Sequence, residues 1–235
     1  MVCAEQQNAS DKTRKKVLIV DDHPIFREGL ADLINRQHDM AVCGMAKDIP
    51  RTLKALKKLK PDIVTVDLSL EGASGLELMK NIKAQFPDLP MLALSMHQES
   101  FYAERAVRVG AKGYITKQEA SKKVITAIRE VLQGRLYLSD TMKEELLYSM
   151  IGKNGSDATS SPIDRLTDRE LEVFKLLGLG KGTGQIAKQL CLSAKTIETY
   201  RSRIKEKLNL KSGSELMRAA FQWASEQDKA WFPAI

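Results

Sequence analysis

Between residues 16 and 134 the chain switches repeatedly between two hydrophobic periods. Short apolar runs occur as VLIV (17–20), MAVCGM (40–45), DIVTV (62–66), MLALSM (91–96) and GYIT (113–116). Between them apolar residues recur every three or four positions: Ile25/Phe26/Leu30/Leu33/Ile34, Leu53/Leu56/Leu59, Leu76/Met79/Ile82/Phe86 and Val124/Ile125/Ile128/Val131/Leu132. The first pattern predicts buried strands and the second amphipathic helices. Asp48 followed by Pro50 marks one helix start, and Glu99 to Val109 reads as a weaker helix before Gly110. Strands alternating with helices at this spacing predict an α/β unit, a five-stranded parallel sheet covered on both faces.

The period then changes. SDTMKEELLYSMI (139–151) is a polar, helix-like piece, and GKNGSDATSSP (152–162) has the composition of a flexible linker. Everything beyond is helical in pattern. Leu166-Thr167-Asp168-Arg169-Glu170-Leu171 has the form of a capping box inside a hydrophobic staple. Further helices are predicted over 184–190, 194–209 and 213–226, with Ser193 as a cap and Ser212 with Glu215 as a second capping box. The division expected is a disordered tail (1–15), an α/β domain (16–138), a helical extension and linker (139–163) and a small all-helical domain (164–235).

Composition narrows this little. The 235 residues carry a formal charge of +7 and a pI near 9.2, which raises the expectation of a nucleic-acid partner. Lys54, Lys57, Lys58 and Lys60 read instead as a solvated helix face and loop. Cys3, Cys43 and Cys191 show no metal-binding spacing. With neither a signal peptide nor a membrane-length apolar run, a reducing cytoplasmic location without membrane contact is expected.

Chemistry enters at the strand ends. KVLIVDDHP (16–24) ends a strand in two adjacent aspartates, Asp21 and Asp22; VTVDLS ends the third strand in Asp67; the fourth ends in Ser95, and the fifth runs into Thr116-Lys117. Ligands of open parallel sheets bind outside the carboxyl ends of the strands. If strands one, three, four and five are neighbours, three carboxylates, a hydroxyl and an ammonium meet on one rim. Clustered carboxylates repel unless a cation sits among them, and an oxygen-only set favours Mg²⁺. A carboxylate beside Mg²⁺, with a lysine and a hydroxyl at hand, is an arrangement for handling a phosphoryl group.

At these positions IVDDHPIFREGL, PDIVTVDLSLEGASGLEL, ALSMH and GAKGYITK resemble the receiver domain of bacterial two-component response regulators, a doubly wound, flavodoxin-like fold. The resemblance spans about 16–134. It implies that Asp67 is phosphorylated by a histidine kinase, and that Asp21, Asp22, Asp67 and the Ser69 backbone carbonyl serve Mg²⁺, Asp21 through water. It implies that Lys117 pairs with the phosphoryl oxygens, that Ser95 swings in to hydrogen-bond them, and that Tyr114 follows from an exposed to a buried rotamer. Two positions depart from the pattern: Glu71 and Gln118 stand where many receivers carry proline. His97, near the site, reads as a surface histidine.

In the C-terminal part, QIAKQL, CL and SAKTIETY have the form of two helices joined by a tight turn. Ile197, Ile204 and Leu208 share one face of the second helix, with Lys195, Glu198, Thr199, Ser202 and Glu206 on or near the other. Across 195–211, Lys195, Arg201, Arg203, Lys205, Lys207 and Lys211 outnumber Glu198 and Glu206, a bias that suits a helix in a DNA major groove. The run from LTDRELEVFKLLGLG to IKEKLNL resembles the LuxR-type helix-turn-helix domain over about 164–226, which behind a receiver marks the NarL/FixJ class. The resemblance implies base-edge contacts from Glu198, Thr199 and Ser202 and phosphate contacts from Lys195, Arg201, Arg203 and Lys205. Gly182-Thr183-Gly184 departs from the helix-favouring residues common there, so that helix is expected to begin late or fray.

The reading is a transcription regulator, not an enzyme, switched at Asp67 and addressing paired half-sites as a homodimer, partly through its last helix. The alternatives are a phosphorylation-independent DNA-binding dimer and a Mg²⁺-dependent aspartyl-phosphate phosphotransferase. Against the last, Asp21-Asp22 lacks the one-residue spacing of the haloacid-dehalogenase nucleophile and acid.

Overall fold

The computed structural model describes residues 14–70, 73–96, 99–151, 162–190 and 192–229. Glu71, His97, nearly all of the N-terminal tail and all but the last residue of the 152–162 linker lie outside the described residues. The chain divides into two compact units between Tyr148 and Ser149.

The first unit runs β1 (Lys15–Val20), α1 (Pro24–Asn35), β2 (Met40–Ala46), α2 (Ile49–Leu59), β3 (Ile63–Asp67), a short antiparallel pair β4 (Ser69–Leu70) and β5 (Ala73–Ser74), α3 (Gly75–Gln85), β6 (Met91–Ser95), α4 (Glu99–Val109), β7 (Gly113–Thr116), α5 (Lys117–Leu132) and α6 (Asp140–Ile151). The main sheet has the order β2-β1-β3-β6-β7 and is parallel throughout. Alternation along each strand divides the core. Val17 and Ile19 of β1 point to α1 and α5, where Leu30, Ile34, Val124 and Ile128 cover them. Leu18 and Val20 point to the opposite layer, against Leu56, Leu76, Met79 and Ile82. Both faces are therefore apolar, which is why the strand sequences read as continuous hydrophobic runs.

Local signals place the helices. Asp48 caps α2, its Oδ1 accepting from the Arg51 amide at 2.9 Å. Lys60 closes α2 with φ +46°. Arg14 donates to the carbonyls of Met40 and Gln37, at 2.7 and 2.9 Å through Nη2, so the sheet's first contacts lie just before β1.

The 139–151 segment does more than its polar composition suggests. After α5, Tyr137 pairs with the edge strand β7: its carbonyl accepts from the Tyr114 amide at 3.0 Å, and its amide donates to Lys112 at 2.9 Å. Leu138 and Met142 are then buried, with Leu146 packed alongside, in the same core as α3 and α4. Met142 and Leu146 stand four apart on one face of α6, and Leu138 lies just before the helix begins. The helix expected as an extension thus packs onto the α/β core.

The second unit has a 3₁₀ turn (Pro162–Arg165) and helices α7 (Asp168–Gly178), α8 (Thr183–Gln189), α9 (Ala194–Lys207) and α10 (Gly213–Lys229). Its core gathers Leu171, Phe174, Leu177, Ile186, Ile197, Ile204, Leu216 and Trp223; the Phe174 and Trp223 rings lie 5.7 Å apart, tilted by 51°. The capping box on α7 is present, with Glu170 Oε2 accepting from the Thr167 amide at 2.7 Å. Ser193 caps α9. Ser212 accepts from the Glu215 amide at 3.1 Å, while the Glu215 carboxylate takes the Lys211 amide at 2.8 Å, one residue earlier than in a standard box. Helix α8 begins at Thr183 rather than late: the Gln185 side chain reaches back to the Gly182 amide at 2.9 Å and satisfies a free end.

Candidate functional site

Sheet order makes the site. The chain passes from β1 outward to β2 and then returns to β3 on the other side of β1, so the order in which strands are added reverses beside β1 and opens a crevice at its carboxyl end. Val20 pairs with Val66, Asp67 with Leu94, and Ser95 with Thr116. One residue past these pairs, Asp21 and Lys117 join Asp67 and Ser95 on a single rim. Four separate strand ends thus deliver the set expected from sequence.

Asp21, Asp67 and Ser95 are fully buried, and Lys117 nearly so. The Lys117 ammonium stands between the two carboxylates, 2.7 Å from Asp21 Oδ2 and 2.8 Å from Asp67 Oδ2. It lies 4.6 Å from the centre of the Phe26 ring, whose π face favours a cation there. Asp67 Oδ1 accepts from the Ser69 amide at 3.0 Å. Arg27 donates to the Asp21 carbonyl at 2.7 Å and ties α1 to the end of β1. Burial pushes the Asp67 carboxyl above the usual carboxylate range; Lys117 opposes this, Asp21 adds to it, and the net direction is upward.

One member was not legible from the residues. His23, the N-cap of α1, places Nδ1 2.8 Å from Asp22 Oδ1, 3.3 Å from Asp21 Oδ1, 3.7 Å from Asp67 Oδ2 and 3.5 Å from Lys117 Nζ. Ligand atoms of Asp21, Asp22, His23 and Asp67 all fall within 4.8 Å of one another. The set is therefore three carboxylates plus an imidazole, not oxygen alone. The signal was the third residue of DDH, directly after the strand. Phe26, under Lys117, carried no sequence signal beyond apolar periodicity.

Tyr114 is 2% exposed. It pairs with Ala93 on β6, two residues before Ser95, and its side chain belongs to the same core as Leu138 and Met142 of the 138–146 segment. It stands in the inward position.

In the helical unit, α8 and α9 are joined by a tight turn in which the Leu192 amide donates to Ala187 at 2.9 Å. Ile197 and Ile204 anchor α9 in the core, and Lys195, Glu198, Thr199, Ser202 and Arg203 are exposed, with Lys205 half-buried. Thr199 gives its hydroxyl proton to the Lys195 carbonyl at 3.0 Å, which leaves the methyl and the oxygen lone pairs available. Arg201 differs from its neighbours: its guanidinium turns back onto α8, 2.6 Å from Thr183 Oγ1 and 3.1 Å from Glu198 Oε1. At the end of α9, Lys207 meets the buried Glu170 carboxylate at 2.6 Å.

Both units match known families. Residues 17–129 match the response regulator receiver domain, and residues 164–220 match the luxR family of bacterial regulatory proteins. The chain is 37% identical over 210 residues to the oxygen regulatory protein NreC of Staphylococcus carnosus, covering 88% of this chain and 97% of that one. Among solved structures it is similar to a LuxR-family two-component response regulator from Aurantimonas sp. SI85-9A1 (34% identity, TM-score 0.54, 59% of this chain and 99% of that one). It is also similar to RcsB of Salmonella enterica serovar Typhimurium bound to promoter rprA in the presence of phosphomimetic BeF3- (26% identity, TM-score 0.59, 87% and 97%). The chain belongs to the two-component response regulators in which a receiver domain precedes a LuxR-type DNA-binding domain.

Proposed function

We propose that this chain is a transcription regulator whose receiver takes a phosphoryl group on Asp67 from a histidine kinase. The observation that carries it is the pose of Asp67: a buried carboxylate at the switch point, one oxygen held by the Ser69 amide and the other by Lys117. In the transfer an Asp67 oxygen bonds to phosphorus while the bond to the donor imidazole nitrogen breaks. The Lys117 ammonium is then placed to hold phosphoryl oxygens, and the buried Ser95 hydroxyl to donate to them.

The donor set fits Mg²⁺: Asp21, Asp22 and Asp67 bring hard oxygens together, and the close approach of three carboxylates calls for a cation; the Ser69 backbone carbonyl would add a further oxygen. Bound there, Mg²⁺ supplies the positive charge that lets an anionic phosphoryl donor approach an anionic site. Tyr114, already inward, completes the switch with Ser95.

On the helical side, α9 enters the major groove. Glu198, Thr199 and Ser202 face base edges, and Lys195, Arg203 and Lys205 face phosphates. RcsB has been solved as two dimers bound to two parallel DNAs. We read this chain likewise as a homodimer on paired half-sites, and the exposed Phe221 ring on α10 supports a contact between copies there. No helix among the described residues is long and apolar enough to cross a membrane; a kinase donor and a DNA target support the reading of a bacterial cytoplasmic protein.

Intact-mass measurement after incubation with acetyl phosphate and Mg²⁺ tests the reading. One phosphoryl group should add to the wild type and none to Asp67→Asn. If the wild type gains no mass and forms no beryllofluoride complex, the phosphorylation-independent dimer takes its place.

A further inference from the structure

Glu198 is an acidic residue on a surface meant to meet phosphates, and its surroundings explain how it is kept there. Three side chains from two helices form a closed triangle. Thr183 Oγ1, at the first position of α8, donates to Glu198 Oε1 at 2.7 Å; Arg201 Nη1 donates to Thr183 Oγ1 at 2.6 Å and to Glu198 Oε1 at 3.1 Å. The other end of the guanidinium lies against the start of α10, where a Cβ added at Gly213 would stand 3.8 Å from Arg201 Nη2. The Arg201 side chain is 23% exposed, against 57% for Glu198. An ordinary surface pair three residues apart on one helix holds neither partner firmly. Here the third member comes from another helix, two of the three contacts are short, and the cation is the more buried partner.

We propose that Arg201 and Thr183 are positioning residues that set Glu198 for base discrimination, and that Arg201 is not a phosphate contact. The inference rests on the DNA-binding reading above. Both contacts fall on Oε1, so Oε2 is the atom a base-edge donor meets, and the donor class that a carboxylate accepts in the major groove is the cytosine amino group. The guanidinium cancels the carboxylate charge that phosphates would otherwise repel. Fixing the rotamer before binding also removes an ordering cost from the complex.

The test uses the full-length protein in two measurements: selection of duplexes from a randomised library, and salt dependence of binding to one fixed non-specific duplex. Glu198→Gln should lose the preference at one base pair per half-site, from about tenfold or more to within about twofold, as expected for removal of one base-edge acceptor. Thr183→Val and Arg201→Lys should lose it at that same base pair, while their salt slopes stay at the wild-type value. Arg201→Gln should also keep the wild-type slope, whereas loss of a true phosphate contact would flatten it by about one. Wild-type selectivity in Thr183→Val, or a flattened slope in Arg201→Gln, overturns the assignment. If Arg201→Gln fails to fold by circular dichroism, Thr183→Val, which removes only a hydroxyl, still decides. A wild type that binds no duplex in a salt-dependent way removes the DNA reading itself, an outcome distinct from either of these.

Discussion

Gly75 opens α3 directly above the backbone of Asp67: a Cβ added at Gly75 would stand 2.1 Å from the Asp67 carbonyl oxygen and 2.5 Å from Leu68 Cα. The Gly75 amide donates to the Leu68 carbonyl at 3.0 Å, so the helix start is fastened to the loop that carries the carboxylate. Neither contact atom is a flexible side chain. Gly75→Ala must therefore move backbone, and overpacking of this kind costs about 1–3 kcal/mol or more. A lowered urea midpoint by circular dichroism, together with weakened beryllofluoride binding, is expected. Loss of stability with unchanged beryllofluoride affinity would show that Asp67 is positioned independently of this contact.

Thr65 lies on the central strand β3, fully buried, and its Oγ1 has no hydrogen-bond partner among the described residues. Leaving a buried hydroxyl unsatisfied costs about 1–3 kcal/mol. Thr65→Val keeps the shape and the strand preference while removing the polar atom, so it should raise receiver stability by about 1 kcal/mol. A fall in the urea midpoint would mean the hydroxyl does have a partner in solution.

The sequence carried the sheet and the rim because both depend on simple geometry. Alternation in VLIV and DIVTV assigns Val17 and Ile19 to one face and Leu18, Val20, Val64 and Val66 to the other, and Asp21, Asp67, Ser95 and Lys117 each sit at or just past a strand end. What was hidden depends on side chains crossing between elements. His23 carries no assigned role in the sequence until the fold brings Asp67 within 3.7 Å of it. Arg201 reads as one more base on a basic helix, since helical spacing cannot show that its guanidinium folds back to Thr183, 18 positions earlier. Leu138, Met142 and Leu146 belong to a stretch that reads as a polar, helix-like extension, and only the fold shows that they pack into the core.

Glu170 ties the recognition helix to the start of the domain and should make its stability depend on acid pH. Burial works against the ionised form, but the Lys207 ammonium and the Thr167 amide and hydroxyl outweigh it and hold the carboxyl below its ordinary value. A depressed folded-state value contributes stability that is present above the unfolded pKa, about 4.3, and is lost as pH falls through the folded value. Glu170→Gln preserves the capping geometry and removes only the charge, so about 1–2 kcal/mol should be lost at pH 7. That deficit should shrink toward zero as both proteins are taken well below pH 4. The two tryptophans, Trp223 and Trp231, are both in the C-terminal part, so fluorescence-detected urea unfolding at several pH values reads this unit selectively. A deficit that stays constant with pH would assign the loss to packing instead.

Lys117 is shared by Asp21 and Asp67 at 2.7 and 2.8 Å, which makes it the cluster's own counter-charge. Lys117→Met leaves two fully buried carboxylates facing each other, and removing one partner of a buried ion pair costs about 3–5 kcal/mol. The variant should therefore unfold at distinctly lower urea at pH 7 when divalent cations are chelated. Mg²⁺ bound to the folded state stabilises it by mass action, and it should do so more strongly in the variant, where no ammonium competes for the same oxygens. Urea midpoints by circular dichroism, with chelator and with millimolar Mg²⁺, measure both effects. Equal gains from Mg²⁺ in wild type and variant would mean that the cation does not draw on the oxygens Lys117 holds, and would move the metal to the outer side of the cluster, with Asp22 and His23.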